Sequence, residues 1–299
     1  MKNLKWIYLI TLSIIWGSSF ILIKKGLVGL TPLQVGSLRI LFSALFLMVV
    51  GFNKLSALNL KEWKWITISG LLGSFFPVYF FAFAETEIDS AIASILNATV
   101  PLLTMVFGFW FFKAVLSRNK VIGVFVGLLG TLGLILSGAS INPDQNYWFS
   151  LLVIGATICY GFNVNILKAH LNHVSALGLT AGSFLVLIIP ALIILYSSGF
   201  FEVTVYSSEF KWSIFYVFIL GVINTGVAKI IFNRLVQISD PVFTSSVTYL
   251  IPIVAIGWGI LDDEIFSFWQ LISAFVILVG VFIVNRSRNI SLGKKKITT

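Results

Sequence analysis

Ten runs of about twenty apolar residues follow one another along this chain, joined by short polar connections. They cover residues 4–24, 33–51, 64–84, 90–111, 120–138, 148–168, 175–197, 212–232, 241–261 and 266–285. Wound as a helix at ~1.5 Å per residue, a run of that length crosses the roughly 30 Å hydrocarbon core of a bilayer. Inside hydrocarbon, backbone donors and acceptors must be satisfied within the segment, so each span is a helix. The pattern predicts an all-α integral membrane protein of ten transmembrane helices, with no connection long enough for a soluble domain. The composition agrees: 58% of the 299 residues are hydrophobic and 10% charged, where soluble domains carry about a quarter charged.

The net charge of +9 does not imply nucleic acid. The basic residues lie between the apolar runs and form no single face, as membrane topology places them. An even number of spans puts both termini on one side. If that side is the cytoplasm, the inner segments hold fifteen Lys and Arg, among them Lys2, Lys54, Lys113, Lys168, Arg234 and Arg286. The outer segments hold three: Lys24, Lys25 and Lys211. Glu85, Glu87, Asp89, Asp144, Glu202, Glu209, Asp262, Asp263 and Glu264 then all fall outside. The expectation is a multi-pass protein of the cytoplasmic (inner) membrane with both termini in the cytoplasm. Met1–Lys5 and the following apolar run superficially resemble a signal peptide. The run is long for that role and lacks a small-x-small cleavage site, so it reads as a retained first span. The single cysteine, Cys159, excludes an intramolecular disulfide and a Cys-rich metal site.

The sequence repeats. SILNATVPLLTMVFGFWFFK (94–113) aligns without gaps on SSVTYLIPIVAIGWGILDDE (245–264), pairing Pro101 with Pro252, Asn97 with Thr248 and Gly108 with Gly259. At the same offset Gly70 meets Gly221, Ser74 meets Thr225 and Asp89 meets Asp240. WGSSFILIK (16–24) aligns with YGFNVNILK (160–168), so Trp16 meets Tyr160, Ser19 meets Asn163 and Lys24 meets Lys168. The division runs 1–143, 144–288 and a basic tail, 289–299. Five spans is an odd number, so the second half enters the membrane inverted relative to the first. Inverted repeats are a transporter architecture with a binding site near the midplane between the halves.

Ten spans in two five-helix halves, WGSSF in the first span, Arg39 in the second, and an internal proline in the fourth and ninth resemble the EamA family of the drug/metabolite transporter superfamily. The resemblance covers about residues 4–286. It implies a ten-helix basket around a central cavity that moves small metabolites, often outward. The family often carries a Gly-Glu pair after the fourth and ninth helices, where this chain has Phe112-Lys113 and Asp263-Glu264.

Polar side chains inside spans face the bundle interior or a water-filled cavity. Ser90, Ser94, Asn97 and Pro101 share one helical face, as do Ser245, Thr248 and Pro252. Two roles fit these faces: lining a substrate cavity, or bonding neighbouring helices. Pro101 and Pro252 each remove an i→i−4 bond and predict a matched kink, open to use as a hinge. Trp16, Tyr79, Tyr160 and Tyr249 are the candidate cavity aromatics. Ser19 joins them from the first span, and Asn163, Asn165, Asn224 and Thr225 from the sixth and eighth. Arg39 and Lys229 either snorkel to a headgroup layer or point inward to hold a carboxylate or phosphate. Lys229 reads as lying near the cytoplasmic end of its span.

No Asp or Glu lies in the middle of a span, which disfavours exchange of a bulky cationic drug for protons. No phosphate-binding glycine loop, no positioned nucleophile with a base, and no metal constellation is present; His170 and His173 sit in a short connection without further ligands. The expectation is therefore a transporter and not an enzyme, without cofactor or metal. Its partners are a small-molecule substrate and the lipid bilayer. Export of amino acids or related amphipathic compounds leads, with proton-coupled multidrug or other metabolite efflux as the alternative. An intramembrane enzyme or a non-transporting scaffold stands further off. One chain holds both halves, so a monomer suffices, and a dimer is compatible.

Overall fold

The computed structural model describes residues 2–88, 90–114, 117–136, 146–202, 207–261 and 268–286. Asp89, Asp144, Asp262, Asp263, Glu264 and the basic tail lie outside the described residues. Among those described there is no strand. Six helical stretches are long and apolar enough to cross a membrane: Asn3–Leu27, Pro32–Ala57, Leu60–Ala84, Ser150–His170, Ala176–Ser197 and Ser208–Ile238. Shorter apolar helices accompany them. The hydrophobic effect cannot hold such helices together in lipid; close packing and interhelical hydrogen bonds do so.

The elements in chain order are α1 (Lys2–Gly17), α2 (Ser19–Leu27), α3 (Pro32–Gly51), α4 (Leu60–Gly70), α5 (Phe76–Ala84), α6 (Ser90–Asn97), α7 (Val100–Phe112) and α8 (Arg118–Leu136). They continue as α9 (Ser150–His170), α10 (Ala176–Ser197), α11 (Ser208–Gly221), α12 (Ala228–Ile238), α13 (Pro241–Ser245), α14 (Ile251–Leu261) and α15 (Phe268–Arg286). Polar residues at their ends satisfy the free backbone groups. Thr31 with Gln34 and Asn59 with Glu62 form capping boxes, and the Lys168 ammonium donates to the carbonyls of Val236, Gln237 and Ser239 where α12 ends.

Packing follows a regular scheme. α3 lies along α10, and α8 along α15. α1 and α2 pack on α12 and α11, while α9 packs on α5 and α4. α14 also meets α1, and α7 meets α9. The α8–α15 contact is close because glycines face each other: a Cβ added to Gly280 would sit 2.5 Å from the Gly127 nitrogen. Small residues permit this approach of two backbones.

The third and eighth spans share a departure from α geometry. Leu71–Phe75 and Val222–Val227 are π-helical, joining α4 to α5 and α11 to α12. Gly70 and Gly221, aligned in sequence, precede them. A π segment inserts an extra residue per turn and turns the following side chains to a new direction.

The fourth and ninth spans differ from their sequence reading. Each was expected as one kinked helix over 90–111 and 241–261. α6 instead stops at Asn97 and α7 starts at Val100; α13 stops at Ser245, a 3₁₀ turn covers Ser246–Tyr249, and α14 starts at Ile251. Pro101 occupies the first turn of α7, where a missing N–H costs nothing to the new helix. Pro252 likewise follows the first residue of α14. The prolines therefore open second helices instead of bending continuous ones. The price is local: Asn97 and Thr248 lose the donor that would have stood four residues on.

Candidate functional site

A central cavity lies where these irregular segments meet. It holds about 830 Å³ of empty space, counting the part open to solvent. The π segments contribute Gly73 and Ser74 from one side and Asn224 and Thr225 from the other. The broken helices contribute Asn97 and Val100, and Ser245, Val247, Thr248 and Ile251. α1 and α2 add Trp16, Ser19, Phe20 and Ile23, and α9 adds Tyr160, Asn163 and Val164.

Most of the wall is tied by hydrogen bonds. The Trp16 indole N–H donates to the Asn224 carbonyl at 2.9 Å. The Asn224 amide donates to the Ile15 carbonyl and to Ser19 Oγ at 3.1 Å. Ser69 Oγ donates to Asn163 Oδ1 at 2.7 Å. Gly73 leaves room for that amide: a Cβ there would fall 2.3 Å from Asn163 Nδ2. Thr248 Oγ1 donates back to the Ser245 carbonyl at 3.0 Å. Asn97 is different. It is buried at 6% exposure, yet its Oδ1 has no hydrogen-bond partner. A buried amide oxygen in that state is costly unless a ligand or water completes it.

Two cations enter the same space. Arg39, on α3, donates through Nε to Thr225 Oγ1 at 2.7 Å. Lys229, on α12, donates to the Gly73 carbonyl and stands 5.5 Å from the Tyr160 ring centroid and 5.8 Å from that of Phe232. Both line the cavity, which decides against snorkelling in this conformation. The position of Lys229 also corrects the sequence reading. Its helix runs on to Ile238, six residues past the end expected at 232, so Lys229 sits deeper than near the span's end. No Asp or Glu is among the described lining residues. Aromatic rings complete the wall: Phe232 lies 5.2 Å from Trp16 and Phe81 stacks 6.4 Å from Tyr160.

Nine of the twelve substrate-site candidates line this cavity: Trp16, Ser19, Arg39, Asn97, Tyr160, Asn163, Asn224, Lys229 and Thr248. Three lie elsewhere. The Tyr79 hydroxyl bonds Ser37 Oγ at 2.9 Å, with its ring against Gly36. Tyr249 is fully buried, donates to the Val124 carbonyl at 3.0 Å and packs on Gly127. Ser94 is buried outside the lining, and the side chain of Ser90 is not described. Asn165 also turns away, donating to the Thr104 and Gly161 carbonyls. His170 closes α9 instead of lying in the connection, and His173 follows in the turn; both meet α4, His170 stacking on Trp65 at 3.7 Å and His173 pairing with Glu62 at 2.8 Å. Sequence reasoning missed Gly73, Phe81 and Phe232. Gly73 carries a signal only through its place beside Ser74, three residues after the aligned Gly70.

The model of the EamA-like transporter family matches residues 4–136 and 147–286. A relative described as the uncharacterized transporter YoaV of Bacillus subtilis (strain 168) is 24% identical over 280 residues, covering 92% of this chain and 94% of its own. The uncharacterized inner membrane transporter YedA of Escherichia coli (strain K12) is 25% identical, covering 92% and 89%. A probable amino-acid metabolite efflux pump of Salmonella typhimurium is 24% identical, covering 90% and 91%. A solved crystal structure of a protein 18% identical in sequence superposes with a TM-score of 0.70 over 93% of this chain and 94% of the other. That likeness concerns the fold.

Proposed function

The chain belongs to the EamA-like transporter family, a multi-pass membrane protein, and from that premise we propose that it exports amino acids or related amphipathic metabolites across the cytoplasmic membrane by alternating access. The observation that carries the reading is the cavity wall. Arg39 and Lys229 offer positive charge to a carboxylate, Asn97 Oδ1 offers an unused acceptor to an ammonium group, and Trp16, Phe81 and Phe232 offer apolar surface to a side chain. A bulky organic cation meets two like charges there and is disfavoured. The direction and substrate class draw on the Salmonella relative's name.

Alternating access needs two inverted five-helix halves, 1–143 and 144–288, enclosing the cavity. Four observations support that architecture. The family model matches twice, at 4–136 and 147–286. The π segments begin at Leu71 and Val222, the same offset that separates Pro101 from Pro252. Exchanging the halves also maps the contacts of α1 with α12 and α14 onto those of α9 with α5 and α7. It leaves the α3–α10 and α8–α15 pairs in place. The broken helices then act as the hinges, with Pro101 and Pro252 at the moving joints. One chain suffices in this reading, and the basic connections favour both termini in the cytoplasm.

Purified protein in liposomes preloaded with each of the L-amino acids in turn tests this directly. The proposal expects radiolabelled counterflow for at least one of them. Absence of counterflow across the whole set removes amino acids as the substrate class.

A further inference from the structure

A second, smaller cavity adjoins the first, and Lys229 lines both. It holds about 220 Å³ of empty space, counting the part open to solvent. Its other polar lining comes from Ser69, Ser74, Asn163, Thr180, Ser183 and Asn233. Thr180 lies in the second turn of α10, and Asn233 lies midway along α12, one turn on from Lys229, so this lining extends about one turn beyond Lys229. Hydrogen bonds run along it: Asn233 Nδ2 donates to Thr180 Oγ1 at 2.9 Å, and Ser183 Oγ donates to the Ile66 carbonyl at 3.3 Å. Hydroxyls pass a proton on through an intervening water, which an apolar wall does not, while the Asn233 amide holds the Thr180 hydroxyl in place.

The groups facing Lys229 are few. The Gly73 carbonyl accepts from it, and the rings of Tyr160 and Phe232 flank it. The charged group that shares the main cavity with it is Arg39 of α3, and the titratable group beside it is the Tyr160 phenol of α9. Where α1, α10 and α13 border the two cavities, they present only uncharged side chains. Neither cavity has a carboxylate among its described lining residues. Glu85, at the end of α5, lies outside both linings.

Two cations confined in one poorly polarisable space repel each other. A guanidinium keeps its charge under such conditions, whereas a lysine readily trades its proton, which is why enzymes use it as a base. An anionic group entering between the two removes the repulsion. We propose that Lys229 couples proton movement to transport. Its nitrogen gives up a proton through the small cavity while the main cavity is empty, and regains one when a substrate carboxylate arrives beside Arg39. One proton and one carboxylate then cross together. The proton passes between water and the Lys229 nitrogen, and no other bond forms or breaks. This rests on the transporter reading above. It also bounds the direction of flow: substrate leaves an alkaline compartment only when its own gradient exceeds the opposing proton gradient.

The test uses the full chain in liposomes, with L-phenylalanine, L-leucine and L-alanine as separate probes and the membrane potential clamped by potassium and valinomycin. Exchange at equal pH on both sides examines the transporter reading. A pH step of one unit, alkaline inside, examines the coupling. The expected result is accumulation of a probe in the alkaline lumen, up to about tenfold for one proton per cycle. A dye trapped inside should report acidification at the same time. Lys229→Gln should abolish both responses, as should Lys229→Arg, which keeps the charge but holds its proton, and coupling retained in either variant overturns the assignment to Lys229. Exchange at equal pH with neither accumulation nor acidification overturns the coupling and leaves the transporter standing. Absence of exchange for all three probes, and for the remaining L-amino acids put through the same assay, overturns both.

Discussion

The broken helices α6–α7 and α13–α14 use the same backbone device and carry different chemistry. Each stops near the cavity, and each resumes with a proline in the first turn of a new helix. At the break, however, Thr248 satisfies itself by donating to the Ser245 carbonyl, while Asn97 leaves its amide oxygen without a partner. The third and eighth spans repeat the contrast. Both contain a π segment, yet one presents Gly73 and Ser74 and the other Asn224 and Thr225. The charges are more lopsided still: Arg39 has Ser183 near the matching position of the seventh span, and Lys229 has Val78 in the third. In the proposed transporter the backbone device occurs twice because each half bends, and the polar groups differ because a substrate with distinct ends needs distinct partners.

That contrast is sharpest at Arg39. Arg39→Gln removes a charged donor that reaches Thr225. It should lower transport by roughly thirty- to a hundredfold, the equivalent of ~2–3 kcal/mol for a charge-assisted bond. Ser183→Ala near the matching position should cost far less, and equal losses in radiotracer uptake would erase the asymmetry. The two halves of the break come next. Asn97→Leu should cut uptake by about tenfold, and Thr248→Val by no more than about threefold, since only the first removes a free acceptor. Unchanged size-exclusion profiles would separate these losses from misfolding. Smallest is Tyr79→Phe. Its hydroxyl meets Ser37 away from the cavity, so uptake should stay within about twofold while the melting temperature falls by a few degrees, as loss of one buried bond of ~1 kcal/mol implies. A larger loss of uptake would return Tyr79 to the site.

The helical character was legible because lipid leaves little choice: apolar length gives the helices. The aligned prolines also marked the two broken spans. Their form was not legible, since a kink and a restart both place proline on the same residue. The π segments leave no compositional trace beyond Gly70 and Gly221. Facing direction was the harder limit. Asn163 and Asn165 are two residues apart and so point to nearly opposite sides of one helix. Nothing local in the sequence says that Asn163 meets the cavity while Asn165 meets α7. Lys229 was placed too near the end of its span for a related reason: α12 continues through Asn233, Arg234 and Gln237, polar residues that end an apolar run without ending a helix.

Access to the cavity from both membrane faces in turn is the most direct measure of the account. Ser74→Cys, in a Cys159→Ala background, puts one thiol on the lining. A membrane-impermeant maleimide is then applied to right-side-out and to inside-out vesicles. The account predicts labelling from both faces, with L-amino acid substrate changing the ratio of the two rates. Labelling confined to one face under every condition would contradict it.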